Sequence, residues 1–181
     1  MTREARPPSR LAAVVFDRNE PADAAVAVFV AKAQRDGARV AGLVQEGTDD
    51  ALCSLHGVRV RDLMTGETLP IMQNLGAEAT GCRVDPAAIA VAARMLDSGR
   101  ETAPDLLVVN RFGRLETEGG GMLTEIGRAF ADGLAVVVCV PKRYLKSWDE
   151  FADGLDVKLP PSVEAIERWW SGIEEARSEA A

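Results

Sequence analysis

"LAAVVFDRNEPADAAVAVFVAKAQRDG", residues 11–37, carries the fold decision. Its first six residues are an unbroken apolar run, as expected of a strand buried on both faces. A polar turn follows. Pro21 suits the first helical turn and Asp23 the positive helix start. The Ala/Val-rich amphipathic stretch then runs to Gly37, a helix stop. A buried strand handing over to such a helix opens a βα crossover. "RVAGLVQ" (39–45) supplies the strand that the crossover delivers.

The alternation continues along the chain. Val58 to Leu63 and Thr68 to Met72 alternate in polarity about Thr65-Gly66, the mark of a hairpin inserted into the βα series. "NLGAEATGCRV" (74–84) reads as a loop, and Asp85-Pro86 caps a helix expected to stop at Ser98-Gly99. "DLLVVN" (105–110) and "LAVVVCV" (134–140) are buried strands separated by the helix "GMLTEIGRAFADG" (121–133). A short helix and a C-terminal helix follow. In the latter, Trp169 and Trp170 point to different sides, and at least one is expected to pack on the body. Strands alternating with helices imply α/β architecture, a mostly parallel sheet with helices on both faces. The expected organisation is a mobile Pro-rich tail over residues 1–10 and a single domain over 11–177.

Composition narrows the function. The chain has 181 residues and a formal charge of −7 with no basic block, against a general affinity for nucleic acid. No apolar run approaches the length needed to span a bilayer, and the N-terminus lacks a signal peptide's apolar region. The expectation is a cytoplasmic protein without membrane insertion. The three cysteines, Cys53, Cys82 and Cys139, are far apart, so neither a disulfide framework nor a structural zinc site is suggested. His56 is the single histidine, which argues against Ser-His or Cys-His nucleophilic catalysis.

Three stretches are candidates for chemistry. After the first strand comes "FDRNEPAD" (16–23), without the glycines, lysine or Ser/Thr of a phosphate-binding loop. Asp17, Glu20 and Asp23 place negative charge there, which disfavours a triphosphate. Asp17 reads either as a turn residue or as a ligand or metal contact. In "TGCRVDP" (80–86), Gly81, Cys82 and Arg83 precede a helix start, where a thiol and a guanidinium suit an oxyanion. In "VVNRFGRLETEGGG" (108–121), a strand ends on Asn110 and Arg111, rich in donors. Gly119, Gly120 and Gly121 free the backbone to approach a ligand, and Glu116 and Glu118 are placed to orient Arg111 or bind a cation.

The order "GLVQE" (42–46), "HGVRVRDLMTGETLPI" (56–71), "DLLVVNRFGRLE" (105–116) and "VVVCVPKRYL" (136–145) resembles the small P-loop nucleoside-triphosphatases of bacteria and archaea. Asn110, Arg111, Gly113 and Glu116 fall on the Asp, Glu, Gly and Glu of that family's Walker B strand. Gly113 and Glu116 are retained, the two acids that handle metal and water are replaced, and the P-loop is missing. The resemblance implies a three-layer P-loop-NTPase-like sheet with an inserted hairpin and degenerate Walker motifs. The chain is also similar to a bacterial domain-of-unknown-function family often encoded near molybdate-transport genes. That likeness rests on "GCRVDP" (81–86), "NRFGRLETEGGG" (110–121) and "VPKRYLKSWDEFADGL" (140–155).

Together these resemblances imply a non-catalytic accessory protein of molybdenum handling. It would bind a small oxyanion, molybdate or tungstate, through Arg83, Arg111, Asn110 and the backbone of Gly119 to Gly121, with Cys82 as a soft ligand. Two alternatives stay open. One is a divergent nucleoside-triphosphatase using Glu116 or Glu118 as base. The other is a regulatory adaptor whose segment 144–173 docks on a molybdate transporter or molybdoenzyme. A homo-oligomer is compatible with each of these readings.

Overall fold

A computed structural model of the chain describes residues 8–47, 58–73 and 84–180. Five strands run parallel: β1 (Leu11–Phe16), β2 (Val40–Glu46), β5 (Leu106–Val109), β6 (Ala135–Pro141) and β7 (Asp156–Leu159). The hairpin strands β3 (Arg59–Asp62) and β4 (Thr68–Pro70) add to the β2 edge antiparallel. The sheet order is β4-β3-β2-β5-β6-β1-β7. Asp62 holds the hairpin turn, its carboxylate accepting from the Met64 and Thr65 amides at 2.7 and 3.2 Å.

The apolar runs are continuous because both sheet faces are covered. Ala12, Val14, Val44, Leu106, Val108, Val137 and Cys139 face α1 (Ala22–Arg35) and α6 (Val163–Glu179). Their neighbours Leu11, Ala13, Leu43, Leu107, Val109, Val136 and Val138 face α2 (Pro86–Glu101), α4 (Leu123–Ala131) and α5 (Leu145–Ala152). The result is the three-layer arrangement expected from the sequence. Asp85 caps α2 as expected, accepting from the Ala87 amide at 2.9 Å. Among the described residues no helix is long and apolar enough to cross a membrane.

Several elements differ from expectation. α2 does not stop at Ser98-Gly99 but runs on to Glu101. Gly99 is there for closeness: a Cβ on it would lie 3.2 Å from the Ala41 Cβ, so its absence lets the helix settle on β2. β7 and the short helix α3 (Arg114–Thr117) are additional elements, each four residues long and too short to show a period. The end of the N-terminal tail is tied down, since the Trp169 indole donates to the Ser9 carbonyl at 2.8 Å and the Ser9 hydroxyl to the Leu155 carbonyl. Trp148, Trp169 and Trp170 are all buried in the core.

At the N-terminal edge of the sheet, Asp105 ties three elements together. Its carboxylate accepts from the Arg39 amide at 2.8 Å, from the Arg39 guanidinium at 3.1 Å and from Arg177 at 2.7 Å. Burial alone would raise its pKa, but the bonds from Arg39 and Arg177 outweigh burial and hold the carboxyl well below the usual range. A depressed folded-state pKa stabilises the fold above the unfolded carboxyl's pKa, and that contribution is lost as pH falls through the acid range. Asp105→Asn should therefore destabilise the chain by about 2 kcal/mol at neutral pH. In urea melts the gap from wild type should shrink below about pH 4.

Candidate functional site

The parallel strands end together at the edge where α1 and α4 begin, which is where open α/β sheets place their ligands. The turn from β1 into α1 is short. The Glu20 amide donates to the Asp17 carbonyl at 3.0 Å, and the Asp17 amide donates to the Glu20 carboxylate at 2.5 Å. A backbone N–H that a phosphate-binding loop would offer to a ligand is thus taken by the chain's own acid. The exposed Asp17 carboxylate reaches across to Lys142, just past β6, at 2.5 Å. That bond and the charge of Asp17 raise the Lys142 pKa.

In the first turn of α1, Asp23 faces the end of β5. Its two oxygens receive two different donors: the Asn110 Nδ2 at 3.0 Å and the Arg111 Nη2 at 2.6 Å. The Arg111 guanidinium also lies over the Phe16 ring, 5.0 Å from its centre, where the π face favours a cation. Asn110 is 1% exposed, and its Oδ1 is buried without a hydrogen-bond partner. Beneath them Cys139 is fully buried. Burial pushes its thiol far up, the charge of Asp23 adds to this and Arg111 opposes it, so the thiol stays protonated and is no nucleophile.

The glycine-rich loop after β5 is organised by Glu116. This buried carboxylate accepts from the Gly113 amide at 2.8 Å and the Met122 amide at 2.9 Å. The Gly119 amide donates to the Glu116 carbonyl at 3.1 Å and the Gly120 amide to the Leu115 carbonyl at 2.9 Å. Four amides of the loop therefore have intramolecular acceptors. Gly121 has φ +61, and a Cβ on it would lie 2.0 Å from the Glu116 Oε1. Here glycine is needed for close approach to Glu116. Glu118 pairs with Arg114 on the surface at 2.8 Å.

Of the residues singled out in the sequence, the structure brings Asp17, Asn110 and Arg111 to one edge. It sets Gly113, Glu116 and Gly119 to Gly121 in a loop built around Glu116. Gly81, Cys82 and Arg83 lie outside the described residues, as do Cys53 and His56. Two pairings at the edge had escaped notice. Asp23 was read as a helix-start acid and as part of the negative charge of the first turn, but its place in the first turn of α1 also sets it against Asn110 and Arg111 at the end of β5. Lys142 gave a usable signal as the first basic residue after the last long strand. Among the described residues no group of three or more His, Cys, Asp or Glu side chains is placed to hold a metal.

Comparison with known proteins bears on both fold and family. Residues 11–169 match the family described as "Protein of unknown function (DUF2478)". A curated relative, the molybdenum import ATP-binding protein ModC 2 of Bradyrhizobium diazoefficiens, is 33% identical over 163 residues. The match takes in 90% of this chain but only 18% of that protein, so the chain spans less than a fifth of its relative. Among solved structures, a human cancer-related nucleoside triphosphatase superposes with a TM-score of 0.62 at 14% identity, over 98% of this chain and 100% of that one. THEP1 from the hyperthermophile Aquifex aeolicus gives 0.61 at 13% identity, over 90% and 96%. These likenesses show a P-loop-NTPase-like fold.

The Glu116 loop makes a graded prediction. Gly121→Ala must push a methyl into the Glu116 carboxylate from a left-handed backbone, and should cost roughly 3 kcal/mol or more. Gly119→Ala, at φ +84 but facing open space, should cost only about 1 kcal/mol. Equilibrium urea unfolding of the two variants checks the order.

Proposed function

This chain belongs to the DUF2478 family, and on that premise we propose that it is a non-hydrolytic accessory protein of molybdenum handling that binds a small oxyanion of the molybdate or tungstate class. The observation that carries the reading is the convergence of Asn110 Nδ2 and Arg111 Nη2 on the two oxygens of one carboxylate, Asp23. These donors are already spaced to hold two oxygens of one anion, and Asp23 is the internal anion that an incoming oxyanion replaces. A charge-assisted, two-donor grip of this kind suits oxyanion recognition. Gly81, Cys82 and Arg83, shortly before α2, are proposed to complete the site. The loop of Gly113, Glu116, Glu118 and Gly119 to Gly121 is proposed to border it.

Two features weigh against nucleotide hydrolysis. The first turn is closed by Asp17 and Glu20 where a P-loop would open its amides. The strand that should end on metal- and water-holding acids ends on Asn110 and Arg111. The molybdenum assignment draws on the relative named as a molybdenum import ATP-binding protein. The same match favours a second reading. A region like this chain makes up under a fifth of that protein, as a regulatory module docked on a transporter ATPase would.

Calorimetric titration with molybdate, tungstate, sulfate, phosphate and magnesium-ATP tests the proposal. Molybdate or tungstate should bind, and Arg111→Ala should weaken binding by about tenfold to a hundredfold, the value of a charged hydrogen bond. Absence of heat with every oxyanion, or turnover of magnesium-ATP above a blank, sinks it. Co-purification with a molybdate-transporter ATPase that survives Arg111→Ala in a chain silent to oxyanions points to the adaptor instead.

A further inference from the structure

The opposite edge of the sheet holds a second charged hollow. Arg10 leads into β1, Arg39 into β2 and Asp105 into β5, and Arg177 reaches them from the last turn of α6. All four line one cavity of about 220 Å³, whose walls also include the apolar Pro104, Leu134 and Ile173. Three guanidiniums face one carboxylate there, an excess of two positive charges in a chain whose formal charge is −7. Apolar walls of low dielectric strengthen the field of the charges beside them.

Asp105 engages only part of these donors. It takes Nε and Nη2 of Arg39 and Nη2 of Arg177. Arg10 gives Nη1 to the Gly133 carbonyl at 2.5 Å. Among the described residues, Nε and Nη2 of Arg10, Nη1 of Arg39, and Nε and Nη1 of Arg177 have no protein acceptor. A guanidinium is a five-donor fork that matches the oxygens of a phosphate. The adjoining hollow, beyond Asp105 and Arg177, is lined by Asp36 and Glu174, so an anion is confined to the arginine side. Asp132, next to Gly133, is already paired with Arg100. Helices α1, α2 and α4 end at this edge, and helix C-termini disfavour an anion, so the attraction rests on the guanidiniums.

The geometry points to a second binding site in this cavity, for a small dianion of the phosphate class, as the free ion or a compact phosphomonoester held by Arg10, Arg39 and Arg177. Its volume lies below the roughly 300 Å³ at which pockets for larger organic ligands begin, which limits the occupant to a small one. Two negative charges match the local excess. The bound oxygens would join the starts of β1 and β2 to the end of α6, a link the empty cavity has only through Asp105. Asp105 and Asn110 stand at opposite ends of β5, roughly 16 Å apart along an extended strand, so this site is separate from the strand-end crevice. It does not depend on the oxyanion reading of that crevice.

Calorimetric titration of the full chain with sodium phosphate, at about pH 8 where the dianion dominates, tests the site. Phosphate should bind saturably, and acetate, with a single charge, about tenfold or more weaker. Arg10→Gln and Arg39→Gln should each weaken phosphate by about tenfold or more, while Arg111→Ala leaves this binding unchanged. The two glutamine variants lie on different strands, and circular dichroism shows which of them fold. Glycerol phosphate titrated in parallel assigns the site to phosphomonoesters if it binds tighter than the free ion, and to the free ion if it binds more weakly. Phosphate binding that survives in both glutamine variants but is lost in Arg111→Ala puts the anion at the strand ends and overturns the second site. No saturable phosphate binding in wild type overturns it too, whatever molybdate does at the crevice.

Discussion

A parallel sheet must be covered on both faces, and most of this structure follows from that constraint. Alternate residues of β1, β5 and β6 face opposite helical layers, so each strand is apolar throughout: Val14 and Val108 toward α1 and α6, Ala13 and Leu107 toward α2 and α4. Few polar side chains can be placed along such strands. Polar function is pushed to the ends, where the backbone leaves the sheet and the helices start. Asp17, Asn110 and Lys142 are the first polar residues beyond β1, β5 and β6, and the topology lines them up on one edge.

That edge is largely self-satisfied. Glu20 takes the Asp17 amide, Lys142 takes the Asp17 carboxylate, and Asp23 takes Asn110 and Arg111. A nucleotide hydrolase keeps the corresponding groups open for phosphate, metal and water. Here the fold persists with those openings filled by acids and bases of the chain itself. Among the described residues the buried Asn110 Oδ1 at this edge receives no hydrogen bond, and such an atom is where a ligand has most to offer.

The retained and replaced members of the Walker B-like motif separate cleanly by physical role. Gly113 and Glu116 are the pair in which a buried carboxylate receives the loop amides, with Gly121 packed against it. That is a backbone-organising task, needed whatever the site binds. Positions 110 and 111 instead pair with Asp23 across the strand-end edge, an amide and a guanidinium where the resembled family carries two acids. The likeness to nucleoside-triphosphatase structures thus speaks for the scaffold and leaves the chemistry to those two positions.

The sequence by itself determined the layer architecture, most strands and helices, the hairpin and its turn, and the fact that one strand ends in donors. These are local properties, written in apolar runs, caps and turn residues. Short elements such as β7 and α3 escaped because four residues carry no period, and α2 overran its stop because Gly99 answers to a neighbour on β2 and not to its own helix. Only the tertiary structure decided what the donors touch. Asp23 stands 87 residues from Asn110 along the chain, and Asp17 stands 125 from Lys142. Pairings at such separations depend on strand order, which no local pattern encodes. The same packing turned Glu116 from a candidate base into the centre of its own loop, and drew Trp148, Trp169 and Trp170 into the core, because burial is set by which elements meet.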